Sequence, residues 1–310
     1  MKKNKVLIGP SSFAETDKTP LEMLARAGIR AVDNPFRRKL TKSEILDLLT
    51  EDVVGIVAGL ETLDREVLSH SRLRVVSRVG SGLANVDLEA AKELGIQVFS
   101  TPNGPVEAVA ELTVGSLLCL LRMIPQMNSA LHNGSWEKRI GLQLEGKTVV
   151  IIGFGRIGRR VAGLLAAFGA RIVVVDPLAQ QGDGSGFQQM TLAEALPIAD
   201  IVTIHSSGEK CLMAEPEFSL LKRGAFLLNA ARGGLVSEEC LVRSLENGAV
   251  AGAWVDAYSV EPYAGPLCKM PNVLLTPHAG SYTKECRKGM ECDAVDNLVR
   301  ALACMDSEAF

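Results

Sequence analysis

The stretch that most constrains this chain is residues 146–176, GKTVVIIGFGRIGRRVAGLLAAFGARIVVVD. An apolar, β-branched run at 148–152 suits a strand buried on both faces, and Gly153-Phe154-Gly155-Arg156-Ile157-Gly158 follows it at once. Each glycine has its own task in such a turn: Gly153 lets the chain leave the strand tightly, Gly155 lets a diphosphate approach the backbone, and Gly158 lets the next helix pack closely on the sheet. A helix over 156–168 turns its positive N-terminal end and free N–H groups toward the phosphates. Gly169 stops it. A second strand over 171–175 delivers Asp176, roughly 20 residues past the glycines, where a carboxylate accepts both ribose hydroxyls of an adenosine. The same carboxylate repels a 2′-phosphate, which predicts NAD in preference to NADP. The alternative is a close-packed βα turn with a solvent-facing Asp176.

At 310 residues the chain exceeds what one core usually organises, so two domains are expected. A formal charge of −3 offers no electrostatic footprint for nucleic acid. The start carries too few apolar residues for a signal-peptide core, and no 18-residue apolar run exists, so no membrane segment is expected. Seven cysteines are scattered without a CxxC pair, which points to reduced thiols, a cytoplasmic setting and no metal site.

Residues 1–99 alternate strand-like runs (6–8, 29–32, 53–58, 73–77) with helical spacing (21–27, 43–49, 64–68, 88–94), the pattern of a parallel sheet. Gly28 and Gly95 suit helix C-termini and Asp87 an N-cap. After the fourth strand, Ser77-Arg78-Val79-Gly80-Ser81-Gly82 either holds a carboxylate on its backbone N–H groups or is a glycine turn with a surface arginine. Thr101-Pro102-Asn103-Gly104-Pro105 resembles an interdomain linker. A helix apolar on more than one face is expected over 106–123, buried under both domains or against a partner, and Pro125 is read as its limit. Beyond Asp176, residues 180–186 read as a loop. Strands follow at 201–204, 225–228, 250–255 and 273–275, with a helix at 237–246 capped by Ser237 and a final helix over 282–304.

Three titratable or charged residues follow strand ends in the second half: Arg232 in NAARGG, Glu261 in VEP and His278 in TPHAG. Strand ends on one edge of a sheet converge on one crevice. Singly, each has a plainer reading, as a surface cation, a solvated acid and a buried histidine satisfied by backbone.

Over nearly its whole length the chain resembles the D-isomer-specific 2-hydroxyacid dehydrogenases, most nearly the phosphoglycerate dehydrogenase branch. The resemblance rests on SRVGSGLANVDLEAAKELGIQVFSTPNG, VAELTVGSLLCLLRMIP, GKTVVIIGFGRIGRRVA, NAARGGLVSEECLVRSLENGAVAGAWVDAYSVEP and NVLLTPHAGSYTKE, in the family's order. It implies an α/β fold of two doubly wound parallel-sheet domains, with a Rossmann NAD-binding domain (102–281) inserted into a flavodoxin-like substrate domain (1–101) to which a C-terminal helix (282–310) returns. By the same resemblance, Arg232 holds the substrate carboxylate and carbonyl and His278 is the acid/base. Glu261 orients that imidazole and favours its protonated form. Ser81, Gly153, Gly155, Arg156, Ile157, Gly158, Asp176, Ser206, Ala230, Arg232, Asp256, His278 and Gly280 are implied to meet NAD, with Asp256 near the nicotinamide. Arg78, Val79 and Gly80 join Arg232 and His278 as substrate contacts. Reduction of a 2-oxo acid needs a hydride donor, a cation on the carboxylate and carbonyl, and a proton donor for the emerging alkoxide, which these residue types supply.

The sequence departs from the family at Asp256-Ala257-Tyr258, where Asp-Val-Phe is usual, and at Ala84-Asn85, where Asp-Asn is. Val57-Ala58-Gly59 lacks an arginine placed there for a substrate phosphate, leaving Arg78, with Arg37, Arg38 and Lys39 as substitutes. No regulatory domain is expected after Phe310. The expected activity is hydride transfer between NAD(H) and a D-2-hydroxy acid/2-oxo acid pair, with 3-phosphoglycerate/phosphohydroxypyruvate as the candidate substrate and a hydroxypyruvate/glyoxylate-type reductase as the alternative. A homodimer or higher homo-oligomer is expected. From another class, an NAD-sensing corepressor-like binding protein is the competing reading.

Overall fold

The computed structural model describes residues 4–70, 72–179, 186–208 and 210–307; apart from Gly186, the loop expected at 180–186 lies outside them. Along the chain run β1 (Lys5–Ile8), α1 (Thr19–Arg26), β2 (Arg30–Val32), α2 (Lys42–Leu48), β3 (Val53–Ala58), α3 (Arg65–Ser69), β4 (Val75–Arg78), α4 (Leu88–Glu93) and β5 (Gln97–Ser100). Then come α5 (Val106–Leu121), α6 (Ile124–His132), β6 (Thr148–Ile152), α7 (Arg156–Ala167), β7 (Arg171–Val175), β8 (Gln188–Gln189) and α8 (Leu192–Ala195). The order ends with β9 (Ile201–Ile204), α9 (Glu215–Leu220), β10 (Ala225–Asn229), α10 (Glu238–Glu246), β11 (Val250–Val255), β12 (Val273–Leu275) and α11 (Lys284–Ser307). Two compact units result: the described residues up to Pro105 together with those from Tyr282 onward, and Val106–Ser281.

In the first unit five parallel strands lie in the order β2-β1-β3-β4-β5, the flavodoxin-like arrangement. Leu7, Ile56 and Val76 fill one face with helical side chains such as Ile45, Val67 and Ala90. Helix α11 packs within the same unit, where Leu298 approaches Gly55 of β3 so closely that a Cβ would stand 3.2 Å from its methyl. Asp87 caps α4 by accepting from Ala90 N–H at 2.9 Å, and the left-handed Gly28 and Gly95 follow α1 and α4. Strand β5 was not anticipated. Its polar ends, Gln97 and Ser100, leave only two apolar residues between them, and it forms because β4 offers an edge to pair with.

The second unit carries seven parallel strands in the order β12-β11-β10-β9-β6-β7-β8. Every residue of β6 and β9 is buried, which explains why both read as unbroken apolar runs. Alternate residues feed two cores: Val150, Ile152, Val173 and Val175 on one face, Val149, Ile151, Ile172 and Val174 on the other. At roughly 1.5–3 kcal/mol per fully buried aliphatic side chain, these strands make a rigid platform for the loops at their carboxyl ends. Helix α5 buries nine residues and packs on α7 within this unit. Pro125, read as a helix limit, instead opens α6: a proline in a first turn sacrifices no hydrogen bond, and the left-handed Met123 makes the corner. Among the described residues no single helix is long and apolar enough to cross a membrane; the α5–α6 pair reaches the length only with a 67° bend, and α5 is core.

Candidate functional site

The order of the seven-stranded sheet reverses between β6 and β9, and ligands of doubly wound sheets bind at such a point, outside the carboxyl ends of the strands. Here the loops after the two strands touch. Gly153 has φ +92°, and a Cβ on it would stand 2.6 Å from Ser206 N and 2.7 Å from the His205 carbonyl carbon. A Cβ on Gly158 would lie 2.1 Å from Gly153 O, so α7 starts hard against the loop. Gly155 is different: its Cβ direction opens into empty space, it caps α7 with no side chain, and no acid sits in the first turn. The first-turn N–H groups at Arg156, Ile157 and Gly158 therefore form a cradle that a phosphate fits and a side chain would fill.

The end of β7 is tied to this cradle. The Asp176 carboxylate accepts from Phe154 N–H at 2.6 Å and from Leu178 N–H at 2.8 Å, which fixes a half-buried acid beside the glycine loop. The Arg159 guanidinium lies 4.3 Å from the Phe154 ring centroid and Phe187 meets that ring edge-on, so the loop is held from above as well. His205, two residues past Thr203, has Nε2 2.9 Å from the Thr203 hydroxyl, and burial pushes its pKa down to about 4. It is neutral near pH 7 and carries no proton to donate.

The second cluster comes from β10, β11 and β12. Asn229 closes the β10 turn on itself, donating to Arg232 O at 2.9 Å and accepting from Ala231 N–H at 3.1 Å. That turn carries Ala230 and leaves Arg232 extended, with its guanidinium donating to Ala231 O at 2.7 Å. Gly233 then passes directly beneath the next loop, where a Cβ would lie 2.0 Å from the Tyr258 carbonyl carbon, so the loops bearing Arg232 and Glu261 are in backbone contact. Asp256, 1% exposed, aims both carboxylate oxygens at the turn after β12: Oδ1 accepts from the Thr276 hydroxyl and from Ala279 N–H at 2.8 Å, and Oδ2 from Gly280 N–H at 2.9 Å. Tyr258 stacks on Tyr263 and sets its hydroxyl within 3.0 Å of the Val255 and Thr276 carbonyl oxygens; burial pushes the phenol up to about 12, so it stays a donor.

His278 stands at the tip of that turn with φ +52°. Its Nδ1 lies 3.0 Å from each Glu261 carboxylate oxygen, and Tyr258 N–H steadies the same carboxylate at 3.1 Å. Nε2 has no hydrogen-bond partner among the described residues. The side chains of His278 and Glu261 are 42% and 34% exposed, open enough to meet a ligand.

The structure thus brings Arg232, Glu261, His278, Asp256 and Gly280 together in the second unit, along the same sheet edge as Gly153, Gly155, Arg156, Ile157, Gly158, Asp176, Ser206 and Ala230. Arg78, Val79, Gly80 and Ser81 belong to the first unit, after β4. There Val79 N–H donates to Ala58 O at 2.8 Å and Gly80 N–H to the Thr101 hydroxyl at 2.7 Å. The Arg78 guanidinium folds against Gly80, filling the place of a Cβ. Of the substitute cations, Arg38 is held bidentately by Glu44 at 2.9 and 2.5 Å. Asn229, Thr276 and Tyr258, which hold the loops, escaped the sequence reading; a polar residue closing the apolar run AFLLN was the visible trace of the first. Among the described residues no group of three His, Cys, Asp or Glu side chains could hold a metal ion.

Residues 114–280 match the model of the D-isomer specific 2-hydroxyacid dehydrogenase family, NAD binding domain. The chain belongs to this family. It is 37% identical over 290 residues to a D-3-phosphoglycerate dehydrogenase of Rattus norvegicus, covering 91% of this chain and 53% of that protein. The chain spans about half the length of the curated relatives it matches. Among solved structures it is similar to the TT0316 protein of Thermus thermophilus, at 33% identity and a TM-score of 0.89 over 96% of this chain and 97% of the other. It is also similar to an NADPH-dependent glyoxylate/hydroxypyruvate reductase of Sinorhizobium meliloti, at 30% identity and a TM-score of 0.84 over 96% and 94%.

Proposed function

We propose that this family member is an NAD-dependent oxidoreductase that interconverts a D-2-hydroxy acid and its 2-oxo acid. The observation that carries the reading is the His278–Glu261 pair: a carboxylate equidistant at 3.0 Å from Nδ1 holds the imidazole with Nε2 turned to a ligand. The cradle at Arg156, Ile157 and Gly158 would hold the diphosphate of the dinucleotide and Asp176 its adenosine ribose. When bound, the dinucleotide supplies or accepts the hydride at the substrate carbon. Arg232 grips the substrate carboxylate and draws electron density from the carbonyl oxygen. In reduction the Nε2 proton of His278 passes to the forming alkoxide; in oxidation the neutral ring takes the hydroxyl proton, and Glu261 keeps Nδ1–H in place throughout. The relatives' names supply two candidate acids, 3-phosphoglycerate with phosphohydroxypyruvate, and hydroxypyruvate or glyoxylate.

The test is a steady-state screen of phosphohydroxypyruvate, hydroxypyruvate, glyoxylate, pyruvate and 2-oxoglutarate with NADH and NADPH. Turnover with at least one acid is expected; dinucleotide binding without turnover of any would favour an NAD-sensing binding protein. Because Pro177, Leu178 and Ala179 place no cation beside Asp176, NADH should be preferred by at least ~10-fold, a difference of about 1.4 kcal/mol. Equal specificity constants for the two cofactors would refute the Asp176 assignment.

The proposal extends to a homodimer. Helix α6 buries none of its residues although Ile124 and Leu131 are apolar, and the segment after it exposes Trp136 by 81% and Ile140 by 99%. An apolar stripe of this kind is usually covered by a partner. Sedimentation at micromolar concentration should give twice the chain mass; a monomer there would remove the dimer from the proposal.

A further inference from the structure

We propose that Glu61 sets the substrate class, its buried carboxylate beside Arg78 excluding phosphorylated 2-oxo acids in favour of unphosphorylated ones. This rests on the reading above, in which Arg78, Val79 and Gly80 meet the substrate. Strands β1, β3 and β4 are neighbours in the first sheet, and their carboxyl ends lead into Gly9, Gly59 and Val79. Glu61 lies at this edge with only 1% of its surface exposed. Its carboxylate is wedged between two glycines: a Cβ on Gly9 would stand 2.5 Å from Oε1 and one on Gly59 3.1 Å from the same oxygen. Gly59 N–H donates to Oε2 at 2.6 Å, while Asn85 holds the backbone by donating to Glu61 O at 2.6 Å.

A glutamine or threonine here would accept the same Gly59 hydrogen bond without the cost of burying a charge. What the carboxylate adds is therefore its charge. Burial pushes its pKa up, and the nearby cations Lys39 and Arg78 act in the opposite direction, so the acid and Arg78 feel one another. The Arg78 guanidinium is itself folded against Gly80. Its field at the loop is offset by Glu61, and Ala58 supplies no second cation. A substrate whose one carboxylate is held elsewhere presents an uncharged tail to this edge and meets no repulsion. A phosphate dianion meets a fixed negative charge in a poorly hydrated setting, where like-charge repulsion is strong.

The experiment compares kcat/KM for hydroxypyruvate and phosphohydroxypyruvate with NADH in the full-length chain and in Glu61→Gln and Glu61→Thr, both of which keep an acceptor for Gly59 N–H. Wild type should favour hydroxypyruvate by at least ~10-fold, and each variant should move the ratio toward the phosphorylated acid by ~10-fold or more, chiefly through its KM, as removal of one charge contact implies. A wild type that prefers phosphohydroxypyruvate overturns the proposal, as does an unchanged ratio in a folded variant. Should either variant fail to fold, the other and the wild-type ratio decide. Absence of turnover with every 2-oxo acid is a different result: it removes the oxidoreductase reading and this inference with it.

Discussion

His278→Ala is expected to lower kcat by ~10²- to 10⁴-fold, the usual contribution of a positioned acid/base, while NADH still binds. The reason is local. Among the described residues the Nε2 of His278 is a histidine nitrogen without a hydrogen-bond partner beside Arg232, whereas His205 is held neutral by burial and cannot donate near pH 7. The dinucleotide, by contrast, is expected on the cradle after β6, whose geometry does not depend on the imidazole. The readouts are single-turnover NADH oxidation and fluorescence titration of NADH. A variant with near-normal kcat would mean that another group moves the proton, and a variant that loses NADH binding would mean that His278 acts mainly on the cofactor.

Asp256→Ala should destabilise the second unit severely. The carboxylate is buried and accepts from one hydroxyl and two backbone N–H groups, and each buried donor left without an acceptor costs about 1–3 kcal/mol. A loss of at least ~3 kcal/mol is expected, together with loss of turnover, because the freed turn is the one that carries His278. Asp256→Asn should recover only part of the stability, since its amide would present N–H groups to donors where a carboxylate oxygen stood. Denaturant unfolding followed by the fluorescence of Trp254, whose indole donates to the Thr276 hydroxyl at 2.9 Å, reports on this network directly. A change below ~1 kcal/mol would show that the turn is held by its backbone rather than by Asp256.

Much of this architecture is written locally. Strands of a parallel sheet are buried on both faces, so β6, β7, β9, β11 and β12 appear as apolar runs with bounds the structure reproduces. The glycine loop is legible for a similar reason: its demands are steric, and only glycine satisfies the left-handed φ at Gly153 and the near contact at Gly158. Caps such as Asp87 and Ser237 act within a few residues of themselves and could be read directly. Helix α6 could not, because a proline stops one helix and starts another with equal ease, and the left-handed Met123 that selects the second outcome has no sequence signature. Strand β5 depended on an edge offered by β4.

The chemistry divides along the same line. That Arg232, Glu261 and His278 follow strand ends is visible in the chain, but their arrangement comes from contacts between loops distant in sequence: Gly233 against Tyr258 and Ser259, and Asp256 against the turn at Thr276 to Gly280. No spacing rule gives the 3.0 Å approach of Glu261 to Nδ1, because it depends on the register of β11 beside β12. Glu61 is the extreme case. In the sequence it is one acid among 36 acidic residues, indistinguishable from a solvated one. Only the packing of Gly9 and Gly59 around it turns a common residue into a buried charge, because burial is a property of the strands that converge on a side chain and not of the side chain itself.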